Sequence, residues 1–192
     1  MSIDYYNAHA TQFFSNTVSA SMQATYDRVL PLLPAGGSIL DAGCGSGRDS
    51  HYFLGQGYAV HAMDGSTAMA SLASDMTGLA VTYCLFDEYE APCQLDGIWA
   101  CASLLHVPYT ALPGTLAHLI QYLKPNGIFY LSFKYGATER EHEGRHFTDI
   151  NPERLALLVA DLPVTLAQEW ISMDVRPDKA NERWYNAILQ KR

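Results

Sequence analysis

A short apolar run that passes directly into a glycine-rich turn is the feature that most limits how this chain can fold. The segment reads ILDAGCGSGRDS from Ile39 to Ser50. Glycines allow backbone angles and close ligand approach that a side chain would block, and a helix that follows adds oriented N–H groups at its start. The segment therefore predicts a strand, a tight turn and a helix, with a nucleotide-like ligand across the turn. A tight turn without a ligand is the alternative interpretation.

The chain after Ser38 alternates short β-rich runs with longer helical runs, a pattern typical of a parallel α/β sheet. The predicted strands are Ser38 to Ala42, Tyr58 to Met63, Leu79 to Phe86, Gly97 to Ala102, and Gly127 to Phe133. The predicted inward faces of two helices are Leu112, Leu116, Leu119, Ile120 and Leu123 in one, and Leu155, Leu158 and Val159 in the other. Asn151 as cap and Pro152 at the first position mark the start of the second helix.

The two ends of the chain depart from this alternation. Val164 to Met173 and Arg183 to Gln190 are strand-like runs joined by a polar loop, Asp174 to Glu182, which predicts an antiparallel hairpin at the end of the sheet. Ser2 to Leu33 is predicted to be helical and carries aromatic side chains that include Tyr6. This segment is either a packed helix pair or a lid over a ligand site.

Length and charge narrow the class of protein. A chain of 192 residues predicts one domain, with a helical cap over residues 1–35 and an α/β core over 36–192. No run reaches the roughly 18 apolar residues of a membrane span, and the first residues lack signal-peptide character, so we expect a soluble, cytoplasmic monomer or homodimer. A net charge of −8 argues against direct nucleic-acid binding.

The cysteines are widely separated and form no CxxC pair. They are Cys44, Cys84, Cys93 and Cys101. Three of them lie inside or beside apolar runs that are predicted to be buried strands, so we expect the cysteines to act as small buried apolar residues rather than to form a disulfide or a zinc site.

Asp64 ends the second predicted strand, 21 positions after Gly43. A carboxylate at this distance can accept hydrogen bonds from both hydroxyls of a ribose. A dinucleotide fingerprint starting at Gly43 would need its third glycine at position 48, which is Arg48. The spacing therefore argues against a nicotinamide-dependent oxidoreductase.

The run from Asp41 to Gly47 resembles the first motif of class I S-adenosylmethionine methyltransferases, an acidic residue followed by GxGxG. The resemblance continues in Leu95 to His106, similar to the fourth motif, and in Leu123 to Phe129, similar to the turn before the fifth strand. A second glycine is more usual there than Asn126. The likeness spans about residues 36–135, and the GSGRDS run is faintly similar to tellurite and thiopurine methyltransferases.

The resemblance implies a three-layer, Rossmann-like, seven-stranded and mostly parallel sheet whose last strand is antiparallel. It implies S-adenosylmethionine as cofactor and S-adenosylhomocysteine as product. Asp64 would hold the ribose, Asp87 would reach the adenine amino group, and Phe86 and Met63 would flank the purine. The full set of expected cofactor contacts is Asp41, Gly43, Cys44, Gly45, Arg48, Met63, Asp64, Phe86, Asp87 and Cys101.

Acceptor contacts are expected at the carboxyl edge of the sheet, where open α/β folds bind ligands. His106 follows the fourth strand and is either a general base or a residue that caps a loop. Tyr6, Lys134 and Arg145 are the predicted substrate contacts. In the charged loop Gly136 to Ile150, Arg145 or Arg140 can hold an anion, unless the loop is simply solvated.

His142 and His146, four positions apart in the same loop, would be able to share a metal only if the segment were helical. Gly144 and the lack of an apolar stripe argue against a helix, so we predict no metal.

The sequence thus predicts an enzyme that moves a methyl group from S-adenosylmethionine to an oxygen, nitrogen or sulfur of a small molecule. Two alternatives remain open at this stage. One is a non-catalytic ligand-binding or scaffold protein on the same fold. The other is a protein or tRNA methyltransferase that acts with a partner.

Overall fold

The computed structural model describes residues 2–176 and 179–192. The α-helices are α1 (Ser2–Thr17), α2 (Gln23–Val29), α3 (Arg48–Gly55), α4 (Thr67–Thr77), α5 (Leu112–Ile120) and α6 (Pro152–Val159). The strands are β1 (Ser38–Ala42), β2 (Ala59–Asp64), β3 (Thr82–Tyr83), β4 (Leu95–Ala100), β5 (Leu123–Lys134), β6 (Glu139–His142), β7 (Arg145–Thr148), β8 (Val164–Met173) and β9 (Arg183–Lys191). Short 3₁₀ helices cover Leu30–Leu32 and Leu104–His106.

Seven strands form one sheet in the order β3-β2-β1-β4-β5-β9-β8. The pairs among β1 to β5 are parallel, and β9 runs antiparallel to both β5 and β8. Helices cover both faces, so the predicted Rossmann-like sheet with an antiparallel last strand is confirmed. The terminal hairpin also appears at its predicted place, as β8 and β9.

Alternating side chains of β5 show why both faces need helices. Phe129, Leu131 and Phe133 belong to one buried cluster. Ile128 and Tyr130 belong to a second buried cluster on the opposite face. Because successive residues of a strand point to opposite faces, a continuous apolar run requires cover on both sides.

Several predicted strands have different limits in the structure. The fifth begins at Leu123, which the sequence assigned to the preceding helix, because α5 ends at Ile120. The third predicted strand, Leu79 to Phe86, is reduced to Thr82–Tyr83, because this edge strand pairs only with the last residues of β2. The fourth strand ends at Ala100 rather than Ala102. Ala102 has a φ of 53°, which lies outside extended backbone and ends the strand.

The segment expected to be an irregular charged loop contains the hairpin β6–β7. Its two-residue turn, Glu143 and Gly144, has φ of 50° and 73°, as a type I′ hairpin turn requires. His142 pairs with Arg145 and His146 pairs with Glu141 across the hairpin, so the two histidines do not share a helix face. Within the described residues, no group of three or more His, Cys, Asp or Glu side chains can hold a metal ion.

The sequence left two roles open for the N-terminal helices, packing against the sheet or covering a ligand site, and the two helices differ in this respect. Tyr26 and Val29 of α2 are buried against the sheet with Phe53 and Trp99, as in an ordinary packed helix. The α1 helix instead lies over the carboxyl edge of the sheet. There the Asn7 side-chain oxygen accepts a 2.7 Å hydrogen bond from the hydroxyl of Ser66.

Cys44 is buried and Cys84 and Cys101 are half-buried, in line with a packing role. Cys93 is exposed, so the expectation of burial is wrong for this residue. All four thiols are free. Across residues 2–176 and 179–192, no helix has the length and apolar character needed to cross a membrane.

The α6 helix begins as the sequence predicts. Asn151 is its N-cap, and the side-chain oxygen accepts a 2.9 Å hydrogen bond from the backbone N–H of Arg154. Leu155 and Leu158 are buried.

We expect Asn151→Ala to lower the free energy of unfolding by about 1 kcal/mol, because the substitution leaves an N–H at the helix start without its partner. Asn151→Asp keeps an acceptor at the same place and is the matched control. Urea unfolding of the three proteins measures the effect. Equal loss in both variants would show that the cap does not stabilise α6.

Candidate functional site

A cavity of about 1290 Å³ opens at the carboxyl ends of the parallel strands, below α1. It brings together nearly all the residues that the sequence predicted for the site. Those that line it are Tyr6, Gly43, Cys44, Gly45, Arg48, Met63, Asp64, Phe86, Asp87, Cys101, His106, Lys134 and Arg145. Asp41 is the one predicted site residue that is not among the lining residues.

The glycine-rich turn forms one wall of the cavity. Gly43, Gly45 and Gly47 have φ of 75°, 55° and 76°, a region that favours glycine. A Cβ on Gly43 would lie only 2.5 Å from the Cβ of Ser103. The first glycine is therefore needed for close packing between two strand ends.

We expect Gly43→Ala to destabilise the protein by at least about 2 kcal/mol, because it adds steric overlap to an unfavourable φ. Gly114→Ala is the control, since Gly114 lies in α5 with open space where a Cβ would sit. That change should be neutral or stabilising by up to about 1 kcal/mol. Chemical unfolding measures both, and equal effects would contradict the packing argument.

Asp64 lies at the end of β2 and faces the turn. One carboxylate oxygen accepts a 2.9 Å hydrogen bond from the N–H of Gly45, and the other accepts a 2.8 Å bond from the N–H of Ser66. Burial raises the pKa of Asp64 above its ordinary value. Each oxygen keeps a second lone pair, so the carboxylate can still accept from a ligand hydroxyl.

Asp41 is buried below the turn instead of facing the cavity. Its carboxylate accepts a 2.6 Å hydrogen bond from the Ser50 hydroxyl, which ties the end of β1 to α3. Burial, with a further contribution from the nearby Asp49 carboxylate, raises the pKa of Asp41 to about 8. The direct ligand contact expected for Asp41 does not fit this position, and its contribution here is to hold the start of α3.

Asp49 is the centre of a buried network that the sequence analysis missed. The Arg48 guanidinium donates through Nε and Nη2 at 2.7 and 2.9 Å, and the indole of Trp99 donates at 2.9 Å. The hydroxyl of Tyr26 is a further donor. Burial opposes ionisation, but the Arg48 charge and these donors hold the pKa of Asp49 below its ordinary value. The network fixes Arg48 against the cavity wall, where Nη2 lies 3.8 Å from Cys101 Sγ.

The expected purine contacts lie beside the turn. Met63 is fully buried, and its sulfur lies 3.3 Å from the N–H of Gly43. Phe86 is half-buried at the same wall, and Asp87 is exposed at the rim. Apolar side chains beside an acidic residue are the groups expected around an adenine.

His106 is held between α1 and the β6–β7 hairpin. Its Nδ1 lies 2.7 Å from the carbonyl oxygen of His146, and its Nε2 lies 2.7 Å from the hydroxyl of Tyr6. Because a carbonyl only accepts, Nδ1 carries the proton and the Nε2 lone pair accepts from Tyr6. Burial lowers the pKa of His106 to about 4. This geometry does not favour a general base, one of the two roles expected for His106, and instead the imidazole ties the loop after β4 to α1 and to the hairpin.

The depressed pKa of His106 predicts a loss of stability in acid. Between pH 6.5 and about 4 the unfolded chain takes up a proton at this imidazole while the folded protein does not, so the free energy of unfolding falls as pH falls. His106→Gln removes this contribution. We expect the stability difference between wild type and variant to shrink over this pH range in urea titrations, and a constant difference would contradict the assignment.

The predicted cations of the acceptor side are ion-paired in the structure. Lys134 pairs with Glu182, and Arg140 pairs with Asp149. Arg145 lies 2.8 Å from Glu143 at the hairpin turn.

Comparison with known proteins gives one family and a broad structural likeness. Residues 14–158 match the model of a family described as a methyltransferase domain. Over 113 residues the chain is 34% identical to the malonyl-[acyl-carrier protein] O-methyltransferase of Pectobacterium atrosepticum. That alignment covers 57% of this chain and 44% of the relative, so less than half of the relative's length is represented.

Solved structures share the fold across the whole chain. The 1,6-didemethyltoxoflavin-N1-methyltransferase of Burkholderia thailandensis, with bound S-adenosylhomocysteine, has a TM-score of 0.74 at 24% identity, covering 100% of this chain and 90% of that one. The magnesium protoporphyrin IX methyltransferase of Synechocystis PCC 6803, with bound S-adenosylmethionine, has a TM-score of 0.74 at 16% identity, with coverages of 99% and 95%. At these identities the likeness is one of fold.

Proposed function

The chain belongs to the methyltransferase domain family that its residues 14–158 match, and we propose that it transfers a methyl group from S-adenosylmethionine to a small-molecule acceptor. The observation that carries the proposal is the joint position of the glycine-rich turn and Asp64 at one wall of the cavity. Relatives of the same fold bind S-adenosylmethionine or S-adenosylhomocysteine. The O-methyltransferase relative supports oxygen as one candidate acceptor atom.

The residues at this wall fit the proposed cofactor. The Asp64 carboxylate is suited to the two ribose hydroxyls, while Met63 and Phe86 offer apolar surface to the purine. Gly45 lines the cavity with no side chain, so the ligand can approach the backbone closely. In this proposal, Asp87 at the rim accepts a hydrogen bond from the adenine amino group. This set favours an adenosine with a cationic centre over a free phosphate.

The reaction requires little from the protein beyond correct positioning of the cofactor and the acceptor. S-adenosylmethionine supplies a methyl group already activated on a sulfonium sulfur. The acceptor side of the cavity has to hold a nucleophile in line with that methyl, and such positioning can supply much of the rate enhancement. Ile3, Tyr6 and Phe13 of α1 line the cavity from above. In the proposed function, α1 therefore excludes water from the reacting groups.

A small acceptor suits the dimensions of the site. Ligand pockets usually measure roughly 300 to 1000 Å³, and this cavity of about 1290 Å³ exceeds the volume that one such ligand needs. The space beyond the cofactor wall is lined by α1, by the β6–β7 hairpin and by the adjoining ends of β8 and β9. We propose that it takes one small molecule.

Removing the ribose contact tests the cofactor site. We expect Asp64→Ala and Asp64→Asn to weaken S-adenosylhomocysteine binding by about tenfold or more, because hydrogen bonds to a charged acceptor contribute roughly 1.5 to 3 kcal/mol. Isothermal titration measures the dissociation constants. Asp75→Asn, at an exposed position of α4, is the control. Full affinity in both Asp64 variants would rule out the proposed ribose role.

A further inference from the structure

The part of the cavity beside α1 and the β6–β7 hairpin, here called the acceptor end, contains one arginine whose ion-pair partner is easily displaced. Arg145 is mostly buried, with 16% of its side chain exposed, while its partner Glu143 is 58% exposed at the tip of the hairpin. An ion pair with so exposed a carboxylate contributes little stability. By contrast, Asp149, the partner of Arg140, is only 10% exposed. Arg145 is therefore the cation at this end that can most easily exchange its partner.

Arg145 also has an unused donor. Its Nε is buried and has no hydrogen-bond partner among the described residues. The five N–H donors of a guanidinium lie in a rigid plane that matches the two oxygens of a carboxylate. The Nη2 donor already holds the Glu143 carboxylate, which shows that a carboxylate can reach this group.

Aromatic rings fix the orientation of the guanidinium. Its central carbon lies 4.0 Å from the centre of the Tyr5 ring and 5.2 Å from that of Phe147. Stacking of this kind holds the planar group in place without using its donors. Arg145 is also an electrostatic neighbour of the Tyr6 hydroxyl and of His106. An anion on Arg145 would therefore lie beside the Tyr6–His106 pair.

We propose that the methyl acceptor is a small carboxylic acid whose carboxylate binds Arg145 in place of Glu143. This inference rests on the proposed methyltransferase function and names its substrate class.

The charge of the cavity favours a carboxylate over a phosphate. Among the described residues that line it, eight are aspartate or glutamate and seven are lysine or arginine. Lys134, Arg140 and Arg145 all lie within 5.4 Å of the centre of the Phe147 ring. The first two are paired with Glu182 and Asp149, which are less exposed than Glu143, so one displaceable pair is available for one negative charge.

The Tyr6–His106 pair also suits an acceptor that is already ionised. The Nε2 lone pair of His106 is occupied by the Tyr6 hydroxyl, so this imidazole is not free to take a proton from the acceptor. A carboxylate needs no proton removed before it reacts. If it is itself the nucleophile, its oxygen forms a bond to the methyl carbon while the C–S bond breaks and leaves its electron pair on sulfur. The products are a methyl ester and S-adenosylhomocysteine, and no proton is released.

Binding of benzoate and benzamide to the complex with S-adenosylhomocysteine tests the inference. We expect wild type to bind benzoate more tightly than the uncharged benzamide. Arg145→Gln should weaken benzoate binding by at least tenfold. Glu143→Gln should tighten benzoate several-fold, because it removes the competing carboxylate. A purely structural role of Arg145 would not produce this opposite effect.

Arg183→Gln is the matched control, since Arg183 lines the same cavity and stacks on a tyrosine, with its central carbon 4.4 Å from the Tyr135 ring centre. Its benzoate affinity should stay within about twofold of wild type. Equal binding of benzoate and benzamide, unchanged affinity in Arg145→Gln, or weaker binding in Glu143→Gln would overturn the inference. Titration with S-adenosylhomocysteine alone separates this failure from failure of the proposed function.

Turnover gives the second readout. With methyl-labelled S-adenosylmethionine and a panel of small carboxylic acids, their amides, phenols, amines and thiols, we expect labelled products from acids. Release of labelled methanol by alkali identifies a methyl ester, whereas stable label identifies another atom of the same acid, and either result supports the inference. Label only on members that lack a carboxylate would overturn it.

Discussion

Close packing of the strand ends below the cavity is the constraint on which the rest of the site depends. Gly43 leaves no room for a side chain because Ser103 occupies that space, and the Ser103 hydroxyl donates a 2.6 Å hydrogen bond to the carbonyl of Ala42. The N–H of Ala102 donates to the Ser132 hydroxyl at 2.9 Å. These contacts join the carboxyl ends of β1, β4 and β5. They fix the position of the glycine-rich turn, so its backbone groups are already oriented when a ligand binds.

The buried Asp49 network holds the other side of the same turn. One carboxylate accepts hydrogen bonds from α2, through Tyr26, from α3, through Arg48, and from β4, through Trp99. A buried charge is costly unless it is paired and hydrogen-bonded, and here every donor comes from a different part of the chain. The network ties α2 to the sheet through Tyr26, whereas residues of α1 line the cavity.

Local patterns predicted much of the fold. The cap at Asn151, the terminal hairpin and the turn after β1 all depend on residues close together in sequence, and each appears at its predicted place. The sequence did not predict the β6–β7 hairpin because charged side chains hide its alternation, although Gly144 is suited to the positive φ that the turn requires.

Contacts between distant residues account for what the sequence could not predict in the site. Tyr6 and His106 are 100 positions apart, and Asp49 and Trp99 are 50 apart. Composition and periodicity do not reveal such pairs. The position of Asp41 below the turn follows from its bond to Ser50, which the motif alone does not indicate.

Thermal unfolding with S-adenosylmethionine, S-adenosylhomocysteine and NAD in parallel tests the central claim most directly. A ligand at about 100 times its dissociation constant adds about 2.7 kcal/mol to the stability of the protein that binds it. We expect a higher melting temperature with the first two ligands and no change with NAD. No shift with either adenosyl ligand, or a shift with NAD, would contradict the assignment of the glycine-rich turn and Asp64 as the cofactor site.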